Sequence, residues 1–177
     1  MTKYLSRGNK IIFGLLISFL LAGIILYFSP FKSKKFPENY LGTKGKCLAP
    51  DRAIVTKVLD GDTIIVEGGV HIRLLGIDAD EKGYPCYETA KKRLEELLLN
   101  KEVFLEKDKT DIDKYGRCLR YVFLGKKNIN LELVKEGLAI ARFYFPDVKY
   151  KEEIKEAEKY ARENKLGCKW KDTKAKK

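Results

Sequence analysis

Glutamine is absent from this chain, and histidine occurs once, as His71. The four cysteines, Cys47, Cys86, Cys118 and Cys168, contain no C-x-x-C pair. A lone histidine and scattered thiols exclude the ordinary tetrahedral zinc site, which gathers four such ligands at short spacings. Missing glutamine beside abundant lysine, glutamate and isoleucine is a composition common in thermophiles and says nothing of function. An even cysteine count is compatible with two disulfides outside a reducing compartment or with buried free thiols, and four cysteines allow three pairings.

Net charge is also missing where nucleic-acid binding would want it. The 177 residues carry +11, but residues 1–35 hold six basic residues and no acid, and residues 169–177 hold five lysines against Asp172. Removing that +6 and +4 leaves residues 36–168 at +1. Basic flanks therefore surround a nearly neutral globular part, and any case for nucleic acid must rest on local sites.

Residues 11–31 carry no charge at all and are dominated by Ile, Leu and Phe. As a helix this run is long enough to cross a hydrocarbon core of about 30 Å. It exceeds the apolar stretch of a cleaved signal peptide and lacks a small-residue cleavage site. Ile24 stands where a lipoprotein would need cysteine. The expectation is an uncleaved, single-pass signal-anchor in the cell membrane behind a short basic N-terminus, residues 1–10. Lys3, Arg7 and Lys10 precede the run and Lys32, Lys34 and Lys35 follow it, so flanking charge does not orient it. The shortness of the leading flank favours the N-terminus inside and the domain outside. Residues 32–50 read as a polar tether with Pro37, Gly42 and Gly45, residues 51–170 as one domain, and residues 171–177 as a basic tail.

Within the domain, β-rich runs at 53–59, 63–67 and 70–77 are separated by Asp60-Gly61 and Gly68-Gly69, a three-stranded meander. Residues 88–100 place Leu94, Leu97 and Leu98 at helical spacing. Strands follow at 103–107 and 117–124, then a short helix at 130–136 stopped by Gly137, and an amphipathic helix at 150–164. Five strands with a helix between the third and fourth predict an α+β domain built on the five-stranded OB-fold barrel, with about three helices. That fold carries enzymes and binding modules alike.

The meander brings Asp62 and Asp78 to one end. A turn centred on Gly68-Gly69 pairs residue 62 near residue 75 and leaves Asp78 beside the Asp60-Gly61 turn. Two close carboxylates raise each other's pKa unless a positive charge intervenes. A hard cation such as Ca²⁺ satisfies them; ordinary turn aspartates are the alternative. Arg73 lies in a strand that is apolar on both faces, and Arg117 shares the parity of Leu119 and Tyr121. Each needs an anion there. Core carboxylates such as Glu81 would serve, and so would a phosphate gripped by both guanidinium groups. His71 reads as a surface residue.

Three segments then carry a likeness: Val58-Leu59-Asp60-Gly61-Asp62-Thr63, Arg73-Leu74-Leu75-Gly76-Ile77-Asp78-Ala79-Asp80-Glu81, and Asp113-Lys114-Tyr115-Gly116-Arg117. With Asn130-Leu131, the run through Gly137-Leu138-Ala139, and the closing Gly167-Cys168-Lys169-Trp170, they resemble, in order, the motifs of the staphylococcal nuclease (thermonuclease-like) family over residues 51–170. The resemblance implies an OB-fold and Ca²⁺-dependent hydrolysis of DNA and RNA that leaves 3′-phosphate ends. It implies metal binding by Asp62, Asp78 and the carbonyl of Ala79, and catalysis by Arg73, Glu81 and Arg117. Lys114 and Tyr115 would meet a terminal phosphate and sugar. Aromatic rings in the 143–145 run, Phe143 and Phe145 with Tyr144 between them, would lie near the nucleotide. Asp80 departs from the family's proline; it is expected to free the backbone before Glu81 and to add a carboxylate beside the metal. With Glu81 and Arg117 at one phosphate, Cys86 is expected to pair with Cys118 and Cys47 with Cys168.

The expectation is a monomeric, membrane-anchored nuclease. A non-catalytic nucleic-acid-binding barrel on the same tether is the alternative, but such a module would be expected to lose Arg73, Glu81 or Arg117. A tethered interaction domain without nucleic acid leaves the arginines and clustered acids unexplained.

Overall fold

The structure, a computed structural model, describes residues 46–171. The expected membrane span, most of the tether and the basic tail beyond Lys171 lie outside the described residues. Among the described residues no helix is long and apolar enough to cross a membrane.

Strand β1 (Arg52–Val58) buries Ala53 and Val55 by strict alternation, and an irregularity in its pairing with β2 between Val55 and Lys57 shifts the phase so that Val58 is the next residue buried. Strands β2 (Thr63–Val66) and β3 (Val70–Leu74) follow, joined by a short 3₁₀ turn at Glu67–Gly69. Gly68 and Gly69 take φ of +83° and +75° there, a conformation that favours glycine. The register pairs Thr63 with Arg73 and Ile64 with Ile72. Extended by one step, it sets residue 62 opposite residue 74, and Leu74 N donates to the Asp62 carbonyl at 2.9 Å. The expected partner lay near residue 75, one position away.

Helix α1 (Tyr87–Leu98) precedes β5 (Glu102–Glu106) and β6 (Cys118–Leu124). β1 pairs with both β2 and β5, β5 pairs with β6, and β6 runs parallel to β3, so β1-β2-β3-β6-β5 close into a five-stranded barrel. Leu94 and Leu98 of α1 are fully buried with Ile64, Ile72 and Tyr121. Each such aliphatic side chain contributes about 1.5–3 kcal/mol.

The expected third strand, 70–77, is two strands. Gly76 turns the chain at φ +76°, and β4 (Ile77–Ala79) leaves the barrel to pair with β8 (Ala139–Ala141). The bend is packed shut: a Cβ on Gly76 would lie 2.8 Å from Phe143 Cε1. β7 (Lys127–Asn128) pairs antiparallel with the end of β6, and α2 (Ile129–Lys135), α3 (Lys151–Glu163) and α4 (Gly167–Trp170) complete the described residues. The buried Asn130 amide ties α2 to the barrel: Oδ1 accepts from Val122 N at 2.9 Å, and Nδ2 donates to Leu75 O at 2.8 Å.

The disulfides join Cys47 to Cys118 and Cys86 to Cys168. This corrects the expected Cys86–Cys118 and Cys47–Cys168 pairs. Successive strand residues face opposite ways. Arg117 faces the cleft described below, so Cys118 is turned inward, where Cys47 meets it. Asp111 braces the same corner, accepting Cys47 N at 2.9 Å and pairing with Arg120 Nη2 at 2.8 Å. Burial raises the Asp111 pKa, but the Cys47 N–H and the Arg120 guanidinium outweigh it and hold the carboxyl below its usual range. Such a group stabilises the fold above its unfolded pKa of about 4, and the contribution disappears as pH falls through the folded value. Asp111→Asn is therefore expected to be less stable than wild type near neutrality. In denaturant titrations across pH, the gap should close on acidification below about pH 4.

Candidate active site

The parallel seam between β3 and β6 sets the site. Arg73 pairs with Leu119 in that register. Arg117, two residues before Leu119, shares its face, so the two guanidinium groups lie diagonally across neighbouring strands. Both line one cleft of about 620 Å³, together with Lys114, Tyr115, Arg142 and Tyr144.

Arg73 is held on all sides. Its Nη1 donates to Leu74 O at 2.8 Å and Ile77 O at 3.0 Å, bracing the backbone of the Gly76 bend. Its Nη2 lies 3.0 Å from Asp62 Oδ2 and 3.1 Å from Asp78 Oδ1. The anion expected beside Arg73 thus exists, but it is supplied by Asp62 and Asp78 rather than by Glu81. Asp62 Oδ2 also accepts Ala79 N at 2.7 Å. Burial pushes the Asp62 carboxyl up to about 7, against the pull of Arg73 and the Ala79 N–H, with Asp60 adding to the rise.

Arg117 is anchored by Asp113, which accepts its Nε at 2.7 Å and its backbone N–H at 3.0 Å. Asp113 also accepts Tyr115 N at 2.9 Å, and Gly116 takes φ of +80°. This tight 113–117 turn displays Lys114 and Tyr115 at its tip. The Tyr115 ring is 71 % exposed, with Lys114 Nζ at 4.9 Å and Arg117 Cζ at 5.4 Å from its centroid. The aromatic run at 143–145 divides. Tyr144 and Phe145 line the cleft, and Phe145 is 92 % exposed. Phe143, expected at the nucleotide, instead packs over Gly76 against the core. Glu81 is exposed and forms no ion pair among the described residues. Asp80, expected beside the metal, is turned away to Lys169 and to Cys86 N.

The donors fit a hard cation in chemistry. Asp62 and Asp78 converge on one point, now filled by a guanidinium nitrogen. The Ala79 N–H points at Asp62, and in a strand a residue's carbonyl points to the same side as its N–H, so a third oxygen faces this end. Among the described residues no three His, Cys, Asp or Glu side chains gather as a metal cage. Calcium takes about six to eight oxygens in all, so three protein oxygens leave about three to five positions to water and substrate.

Two contributors escaped the sequence reading. Arg142 Nε pairs with Asp78 Oδ2 at 3.1 Å, making Asp78 a bridge between two guanidinium groups. Its signal was a charged residue next to an alanine-rich strand. Asp113 was visible only as a turn residue four positions before Arg117.

The profile of the "Staphylococcal nuclease homologue" family matches residues 71–172, more than half of the chain. The chain is 38 % identical over 162 residues to the thermonuclease of Staphylococcus hyicus, covering 86 % of this chain and 94 % of that protein. It is 40 % identical over 122 residues to the thermonuclease of Staphylococcus intermedius, covering 64 % and 73 %. The prophage-derived endonuclease YokF of Bacillus subtilis is 42 % identical over 121 residues, 62 % of this chain and 41 % of that longer protein. With the profile spanning the barrel seam, both arginines and the 113–117 turn, the chain belongs to the staphylococcal nuclease family.

Proposed function

We propose that this chain is a Ca²⁺-dependent nuclease that hydrolyses phosphodiester bonds of DNA and RNA and leaves 3′-phosphate ends. One observation carries the reading: Arg73 and Arg117 share a barrel face and one open cleft, with two carboxylates directly behind Arg73.

Water attacks phosphorus in line while the 5′ oxygen leaves. Glu81 orients that water and takes its proton, a role worth about 10²–10⁴-fold in rate. Arg73 and Arg117 hold the non-bridging oxygens and the leaving oxygen as negative charge grows on them. Nη1 is spent on Leu74 O and Ile77 O, so Arg73 does so with its Nε–H and with the Nη2 edge that otherwise faces Asp62 and Asp78. Asp62, Asp78 and the Ala79 carbonyl would hold calcium, which when bound supplies positive charge at the phosphate and acidifies a nearby water. Lys114 and Tyr115 grip the neighbouring phosphate and sugar. Tyr144 and Phe145, rather than Phe143, offer ring faces to bases, a contact indifferent to sequence.

The test uses the detergent-solubilised full chain on single-stranded and duplex DNA and on RNA. Cleavage is expected with Ca²⁺ and not with chelator, and Glu81→Gln is expected to lower kcat by about 10²–10⁴-fold. Metal-independent cleavage would sink the calcium assignment. Tight, salt-dependent binding without cleavage would leave the non-catalytic module.

Residues 11–31 are read as the anchor that holds a monomeric domain on the outer face of the cell membrane. Protease added to intact cells should then release residues beyond the tether; a protected domain reverses the topology.

A further inference from the structure

The loop 80–86 carries Glu81 from β4 into α1, and both its ends are fastened to one helix. At its start Asp80 Oδ1 forms an ion pair with Lys169 Nζ, both side chains largely buried. At its end Cys86 is disulfide-bonded to Cys168, the neighbour of Lys169. Asp80 Oδ2 accepts Cys86 N at 2.9 Å and so joins the two ends. Burial pushes the Asp80 carboxyl up, but Lys169 and the Cys86 N–H outweigh it and keep it below the usual carboxylate range.

Helix α4 is a fixed post for this attachment. Lys169 N donates to Gly137 O at 3.0 Å. A Cβ on Gly167 would sit 2.3 Å from the carbonyl oxygens of Glu136 and Gly137, and one on Gly137 would sit 2.1 Å from Leu166 O. Backbone meets backbone with no side chain between, which leaves the helix no room to slide. Residues 81–85, by contrast, are exposed. Gly83 at their tip has φ of +94° and nothing within 4 Å of its missing Cβ. The loop's own hydrogen bonds are local turns, Tyr84 N to Glu81 O at 3.0 Å and Tyr87 N to Tyr84 O at 3.2 Å, and its fastening to α4 is at its ends.

From this juxtaposition we infer that Asp80, Lys169 and the Cys86–Cys168 disulfide are positioning residues that lock the loop 80–86 onto α4 and so aim the Glu81 carboxylate at the reacting water. The inference rests on the assignment of Glu81 as the base. It makes the nuclease sensitive to the redox state of one disulfide through kcat rather than through substrate affinity.

The full chain is compared with Asp80→Asn, Lys169→Met, the double variant Asp80→Asn/Lys169→Met, and Cys86→Ser/Cys168→Ser, with Glu81→Gln in parallel. The first readout is the rate of tryptic cleavage after Lys82 under native conditions, followed by mass. The second is kcat and KM on a single-stranded oligonucleotide with Ca²⁺. Cleavage after Lys82 is expected to rise about tenfold in the released variants. Over the same set kcat should fall about tenfold while KM stays within about twofold, each fold-change being worth about 1.4 kcal/mol per decade. Asp80→Asn/Lys169→Met should be no worse than either single change, because both remove one interaction. An unchanged tryptic rate overturns the inference, since the loop is then held by something else. A freed loop with unchanged kcat also overturns it. Glu81→Gln then separates the causes: if that variant is also fully active, the base assignment has failed; if it is inactive, the positioning alone has failed.

Discussion

Arg73→Ala is expected to lower kcat by about 10²–10³-fold, as losing one preorganised donor to a developing oxyanion does, and to change the protein's response to calcium in a way Arg117→Ala does not. Arg73 has two tasks at once. Its Nη2 is the counter-charge for Asp62 and Asp78, and its side chain is only 15 % exposed. Without it two carboxylates face each other with Arg142 on one flank only. Asp62, already pushed up by burial, retains its proton to a higher pH, which limits the cost but does not remove it. In chelator, Arg73→Ala should therefore melt below wild type. Calcium should restore more melting temperature to the variant than to wild type, because the cation now enters a site no guanidinium occupies. Arg117→Ala should lose activity to a similar degree with little calcium-dependent change in stability. Its partner Asp113 keeps the backbone N–H groups of Tyr115 and Arg117 as donors. Equal calcium responses in the two variants would show that Arg73 does not share its position with the metal. Arg73→Lys should rescue charge balance but little of the rate, because an ammonium cannot present the planar fork.

Removing the Cys47–Cys118 bridge is expected to cost about 4 kcal/mol. The bridge spans 71 residues, and in the chain-entropy account a loop of that length restrains the unfolded chain by roughly this amount. For a domain of this size that corresponds to a melting temperature lower by about 10–20 °C. The bridge also anchors the segment before β1 beside the first residue of β6, where Asp111 and Arg120 are gathered. Differential scanning calorimetry of Cys47→Ala/Cys118→Ala should show the drop while activity at low temperature persists, because Arg117 is held by Asp113 rather than by the disulfide. A loss of activity at low temperature with no change in stability would contradict this division of labour.

The barrel was legible because its signals are local. The Ile- and Val-rich run of β1, the paired glycines at 68–69 and the leucine stripe of α1 each declare an element within a dozen residues. The convergence of Asp62 and Asp78 follows from one hairpin register, so an error of one residue still brought them together. The cysteine pairing was not legible. It depends on which face of β6 Cys118 occupies relative to Arg117, and on the path of α4, which no spacing reports. Phe143 and Tyr144 could not be told apart by parity, because the chain leaves β8 at Ala141 and regular alternation ends there. Asp80 was misjudged because its partner, Lys169, lies 89 residues away on a helix whose place is set by contacts between two glycine backbones.

The parallel β3–β6 seam has one more consequence. Arg73 lies on β3 and Arg117 immediately before β6, two segments remote along the chain that adjoin only where the barrel shuts. A polypeptide with every hairpin formed but that last join open has both arginines and no place where they meet. The shared face that the two arginines present thus depends on barrel closure and not on any one hairpin.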